Sequence, residues 1–129
     1  MNSFIASYFD GLESLFIGSD SIRSFRIIRR QVSTSDGKLR VRIILIDDSE
    51  VELFEYVTES GGKIELRKYS FHWQTNSGAL IRRWDNAPHH PSLPGEPHHV
   101  HQTDGSVAEV LNVPDTAFVI SYIEDQIKQ

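Results

Sequence analysis

At the start of the chain, Phe4, Ile5, Tyr8, Phe9, Leu12, Leu15 and Phe16 recur at three- and four-residue steps. That period is the apolar stripe of an amphipathic helix, and it runs out at "IGSDS", residues 17–21. Ser3 is a candidate N-cap, while Gly11 weakens the helix by about 1 kcal/mol relative to alanine. The pattern then changes. "FRIIRRQVS", "KLRVRIILI", "VELFEYV", "IELRKYSFHWQ" and "LIRRWDN" are rich in β-branched and aromatic residues, and only "TSDG", "DDS", "ESGG" and "TNSG" separate them. Such segments read as strands, and links this short join antiparallel neighbours, because a parallel pair needs a long crossover. Helical spacing returns at the end. Asp115, after Pro114, is a candidate N-cap for Phe118, Val119, Tyr122, Ile123 and Ile127. "TDGSVAEVLNV" between them fits a short strand or a helical turn. The expected fold is α+β. It has an N-terminal helix, an antiparallel meander sheet of about five to six strands, a His/Pro-rich loop, and a C-terminal helix packed on the sheet.

Strand alternation assigns faces. In "KYSFHWQ", Tyr69, Phe71 and Trp73 share one face, and Lys68, Ser70, His72 and Gln74 the other. The aromatic set is expected to face the core. A two-residue turn at "TNSG" pairs His72 with Arg83 and Ser70 with Asp85. A four-residue turn pairs His72 with Ile81 and Ser70 with Arg83. Both put His72, Arg83 and Asp85 on one open face; only a three-residue loop reverses this. Trp73 and Trp84 then join the core rather than serving as base-stacking surfaces.

The chain continues into "RWDNAPHHPSLPGEPHHVH", residues 83–101, which holds five of the six histidines and four of the five prolines. The prolines exclude a helix or a long central strand. A loop folded back over the open face would bring His89, His90, His98, His99 and His101 near His72, Arg83 and Asp85. Imidazoles titrate near neutrality, so one can take a proton while another gives one. An arginine can hold a phosphate and the charge that develops on it. These are parts for metal-independent cleavage of RNA through its own 2′-hydroxyl, with His72, His89, His90, His98, His99 and His101 as candidate acids and bases. Asp85 would orient a histidine, and Arg82, Arg83 and Asn86 would hold substrate. The same residue types also suit a metal-dependent hydrolase or phosphodiesterase, with Asp85, His89, His90, His99 and His101 as ligands of a divalent transition metal. The spacing matches no standard zinc pattern. A third reading has the histidines bonding to backbone and ordering the loop, and Asn86 capping the turn before Pro88.

Composition narrows the setting. A chain of 129 residues suits a single domain spanning 1–129. It has no cysteine, which removes disulfides, thiolate nucleophiles and Cys-based zinc sites. No apolar run reaches the ~18 residues of a membrane span, and the first residues lack the basic start and apolar centre of a secretion signal. A cytoplasmic protein is expected. The net charge of −5 argues against a large nucleic-acid footprint, yet Arg23, Arg26, Arg29, Arg30, Lys38, Arg40 and Arg42 form a local basic segment. That segment is either a phosphate-holding face or a solvated face paired with the acidic strand after it. "VRIILI" fits a mid-sheet strand or a paired edge; the second would make a homo-oligomer.

The run from Tyr69 to His101 resembles the signature of the TumE family, toxin components of prokaryotic toxin–antitoxin systems. The resemblance lies in "YSFHWQ" (69–74), Gly78 ahead of "LIRRWDNAPHHP" (80–91), and "PHHVH" (97–101), with "FEYV" (54–57) before them. It implies a toxin of a type II system, encoded beside a helix-turn-helix antitoxin and neutralised by direct protein contact. It also supports a shared site at His72, Arg83, Asp85, Asn86, His89, His90, His98, His99 and His101. Ribonuclease action follows from the chemistry of these residues and from class analogy. A non-enzymatic partner that only binds and regulates with its antitoxin is the remaining alternative.

Overall fold

The computed structural model describes residues 1–86, 99–109 and 113–128. Helix α1 (Ser3–Gly18) forms where the apolar stripe places it and buries Ile5, Phe9, Leu12 and Phe16. Its cap is Asn2 rather than Ser3. The Asn2 Oδ1 accepts from the Ile5 N–H at 3.0 Å, and its Nδ2 donates to the Thr34 carbonyl at 3.0 Å. Serine and asparagine cap comparably well, and Asn2 has this second bond to a neighbouring turn.

The strands are β1 (Ile22–Val32), β2 (Asp36–Leu45), β3 (Glu50–Ser60), β4 (Lys63–Gln74), β5 (Leu80–Asp85), β6 (His99–Gln102) and β7 (Val107–Glu109). They form one antiparallel sheet whose spatial order is the chain order. The described residues therefore hold seven strands rather than five or six. The added pieces are too short to show a period: β6 has four residues and β7 three. Gly105 turns between them with φ 85°, and Asp104 Oδ1 accepts from the Ser106 N–H at 2.9 Å. "VRIILI" supplies the second half of β2, which is flanked by β1 and β3, so it is a mid-sheet strand. Helix α2 (Thr116–Ile127) is capped by Asp115, whose Oδ1 accepts from the Phe118 N–H at 2.9 Å.

One sheet face carries the core. Val41, Leu53, Phe71, Trp84 and Val100 lie in one cross-strand row, and Ile43, Val51 and Trp73 in the next. All are buried with Ile5, Phe9 and Phe16 of α1 and Val119, Ile120 and Ile123 of α2. Gly37 shows how closely α1 sits. A Cβ there would lie 2.7 Å from Ile5 Cγ2 and 3.0 Å from Phe9 Cε2. Gly37→Ala is expected to cost about 1–3 kcal/mol by overpacking, read as a lower midpoint in urea unfolding.

One carboxylate belongs to this core. Glu55 continues the buried alternation of Val51, Leu53 and Val57 and is fully buried. It accepts from the Tyr8 hydroxyl at 2.5 Å, from the Thr116 N–H at 3.1 Å, and from the Thr116 hydroxyl. It thus ties both helices to the centre of the sheet. Burial pushes its carboxyl above the ordinary value, although the bonds from Thr116 and Tyr8 oppose this. Burial and the Glu55 charge push the Tyr8 hydroxyl up as well.

Candidate functional site

The opposite sheet face has no helix on it among the described residues, and the strand register fixes what it shows. His72 pairs with Arg83 and Ser70 with Asp85 between β4 and β5. Arg83 then pairs with His101, and Asp85 with the backbone of His99, between β5 and β6. His72, Arg83 and His101 therefore form one row across three strands. At about 4.8 Å between neighbouring strands, the two histidines stand roughly 10 Å apart at the backbone, with the arginine between them.

Asp85 joins this row to the next. Its side chain is 2% exposed. Its Oδ2 accepts from Arg83 Nε at 2.9 Å and lies 3.3 Å from His101 Nε2. The two neighbours are far more accessible, Arg83 at 41% and His101 at 21%. A buried carboxylate thus bonds a guanidinium and has an imidazole close by, both at the rim of an open face. The arrangement keeps two groups ready to meet an anion while their shared anchor stays out of water. Tyr69 lies on the core side beside this centre. Burial, and then the charge of Asp85, push its hydroxyl upward, so it stays neutral.

His72 faces an open groove lined by Arg40, Glu52, Ser70, Gln74 and Arg83. Alternation along β4 already placed Ser70 and Gln74 here. Glu52 was missed and Arg40 was read only as part of the basic segment, because both arrive here through the β2–β3–β4 register. Glu52 lies opposite both Arg42 and His72, and it is 3.6 Å from Arg40.

Two expected substrate contacts lie elsewhere. Arg82 points to the helix side, with its guanidinium 4.9 Å from the Tyr122 ring centroid and 5.8 Å from that of Trp84. It does not join Arg83. Asn86 closes the end of β5: its Oδ1 accepts from the Tyr69 N–H at 3.0 Å, and its Nδ2 donates to the Arg67 carbonyl at 2.8 Å. His89, His90, His98 and the side chain of His99 lie outside the described residues, as does most of the His/Pro-rich loop. Among the described residues, no three His, Cys, Asp or Glu side chains are grouped so as to hold a metal ion. The basic segment divides. Arg26, Arg29, Lys38, Arg40 and Arg42 lie on the open face, while Arg30 pairs with Asp10 and Glu13 of α1, and Arg23 with Asp48.

A family model described as toxin TumE matches residues 12–129, which include the whole sheet, this row and α2. The chain belongs to the TumE toxin family. It is therefore a toxin, and its family role implies an antitoxin partner. The match reaches well beyond the motifs between Tyr69 and His101, and leaves out only residues 1–11, the cap and first part of α1. No curated protein and no solved structure matches the chain. No described helix of this TumE-family toxin is long and apolar enough to cross a membrane.

Proposed function

We propose that this toxin is a ribonuclease that cleaves through the 2′-hydroxyl of its substrate, with His72 and His101 as the proton-transfer pair. The supporting observation is the row His72–Arg83–His101, braced by buried Asp85. One imidazole takes the proton of the 2′-hydroxyl. The freed oxygen attacks the adjacent phosphorus, and the bond from phosphorus to the 5′-oxygen breaks. The other imidazole protonates that leaving oxygen. The products are a 2′,3′-cyclic phosphate and a 5′-hydroxyl end. Arg83, between the two histidines, balances the charge on the non-bridging oxygens. Asp85 fixes the orientation of both His101 and Arg83. The substrate supplies the nucleophile, so a chain without cysteine loses nothing by it.

His89, His90, His98 and His99 flank this row in sequence and remain candidates for the same proton transfers or for substrate contact. The antitoxin is expected to be a helix-turn-helix protein that blocks the toxin by direct contact in the cytoplasm, as in a type II system. The test is a pH–rate profile of RNA cleavage with excess chelator present. A base and an acid of histidine type give a bell between roughly pH 5 and 8, and activity survives chelation. A flat profile, or loss of cleavage on chelation that added metal restores, would overturn the mechanism.

A further inference from the structure

We infer that the open face beside the His72 groove is a stacking platform for single-stranded RNA, with Phe54 and Tyr56 as its base-contacting side chains. The inference deepens the ribonuclease reading and takes its substrate class from it. Phe54 and Tyr56 occupy outward positions of β3, two residues and therefore about 7 Å apart. Phe54 lies opposite Ser70 and Tyr56 opposite Lys68, so both rings continue the line of strand positions that begins with Glu52 and His72. Both are half-buried on the face that no described helix covers.

A cation lies over one face of each ring. The Arg40 guanidinium carbon is 4.7 Å from the Phe54 ring centroid, and Lys38 Nζ is 5.8 Å from that of Tyr56. Lys38, Phe54, Tyr56 and Lys68 line one depression together with Asp36. Arg40, beside Phe54, also lines the His72 groove, so it joins the two. Asp36 accepts from the Tyr56 hydroxyl at 2.9 Å and fixes that ring. The acids on this part of the face are Asp36, Glu50, Glu52 and Glu65, against Arg26, Arg29, Lys38, Arg40, Arg42, Arg67 and Lys68. A cationic face on a chain of net charge −5 is complementary to a phosphate backbone.

Flat rings interleaved with cations select for single strands. In a duplex the bases stack on one another, whereas a single strand can splay them onto aromatic side chains. Each stacked base is worth roughly 5- to 150-fold in affinity. The platform would thus hold the chain on one side of the scissile phosphate while Arg83 holds the phosphate itself.

The test is a fluorescence-anisotropy titration with a 2′-O-methyl RNA of about 12 nucleotides, which lacks the attacking hydroxyl. Phe54→Ala with Tyr56→Ala should weaken binding about tenfold or more. Phe54→Leu with Tyr56→Leu keeps apolar bulk without a flat ring and should weaken it as well. A duplex of equal length should bind no more tightly than the single strand. Binding within about twofold of the parent by a folded double variant, or tighter binding of the duplex, would overturn the platform. Cleavage of ordinary RNA by the parent is scored separately. Ring-dependent binding without cleavage sinks the ribonuclease reading and leaves the platform standing. Cleavage with ring-independent binding does the reverse, and a parent that neither binds nor cleaves overturns both.

Discussion

Replacing His72 with alanine, or His101 with alanine, should lower RNA cleavage by about 10²–10⁴-fold, the usual worth of a positioned acid or base. Growth inhibition should fall with it. The two losses should not add in the double variant, because either alone breaks the proton-transfer pair. Their structural costs should differ. His72 contributes to no core row and faces an open groove, so its thermal midpoint should stay near that of the parent. His101 lies 3.3 Å from buried Asp85, so its removal leaves that carboxylate with fewer partners and lowers the midpoint modestly. Circular dichroism separates folding from chemistry in each case. Two folded variants that remain as toxic as the parent would end the catalytic reading and favour a protein that inhibits by binding alone.

The largest stability effect is expected at Glu55. Glu55→Ala leaves the Tyr8 hydroxyl, the Thr116 hydroxyl and the Thr116 N–H without their shared acceptor in the core. Stranding buried donors costs about 1–3 kcal/mol each. A total on the order of 3–5 kcal/mol would lower the thermal midpoint by roughly 10–20 °C in a domain of this size. Glu55→Gln keeps one acceptor oxygen and should lose far less. The pH dependence has a definite sign. The folded carboxyl sits above its ordinary value, so the folded state binds this proton more tightly than the unfolded state does. The contribution of Glu55 to stability is fully present below the unfolded value and is lost as pH rises through the folded one. Glutamine mimics the protonated form at every pH. The midpoint of the Gln variant relative to the parent should therefore be most favourable near neutrality and should decline as pH falls toward about 4. A difference that moves the opposite way would show that the hydrogen bonds outweigh burial.

Much of this was legible in the sequence, for reasons that differ by element. Strong periods fixed α1, α2 and the five long strands, because each has enough residues to repeat its pattern. Alternation also brought His72, Arg83 and Asp85 to one face, although two turn lengths were open. A register shift between Trp73 and Gln74 accompanies the pairing that is found. The strand β6 was illegible because four residues carry no period, and the three residues of β7 left "TDGSVAEVLNV" open between a short strand and a helical turn. Arg82 shows the limit of composition. It neighbours Arg83 in sequence, yet the pleat turns it to the other side, where Tyr122 is waiting. Glu55 had a readable signal: it falls in step with Val51, Leu53 and Val57, which marks a polar group inside the core. No local rule could supply its partners, since Tyr8 is 47 residues away and Thr116 is 61.

The strand order has a kinetic consequence. Every strand lies beside its neighbour in sequence, so every hairpin except β5–β6 closes a short loop, and the sheet has a low cost of search. The two helices are different. The Ser19 hydroxyl donates to Glu124 of α2, 105 residues away, and Glu55 reaches both ends of the chain. Closing those ends carries the greatest loss of chain entropy and cannot be completed until the last helix exists. The folding nucleus is therefore expected among the hairpins of β2, β3 and β4, with the clasp between the helices forming after the main barrier. Mutations in that clasp should speed unfolding while leaving the folding rate almost unchanged.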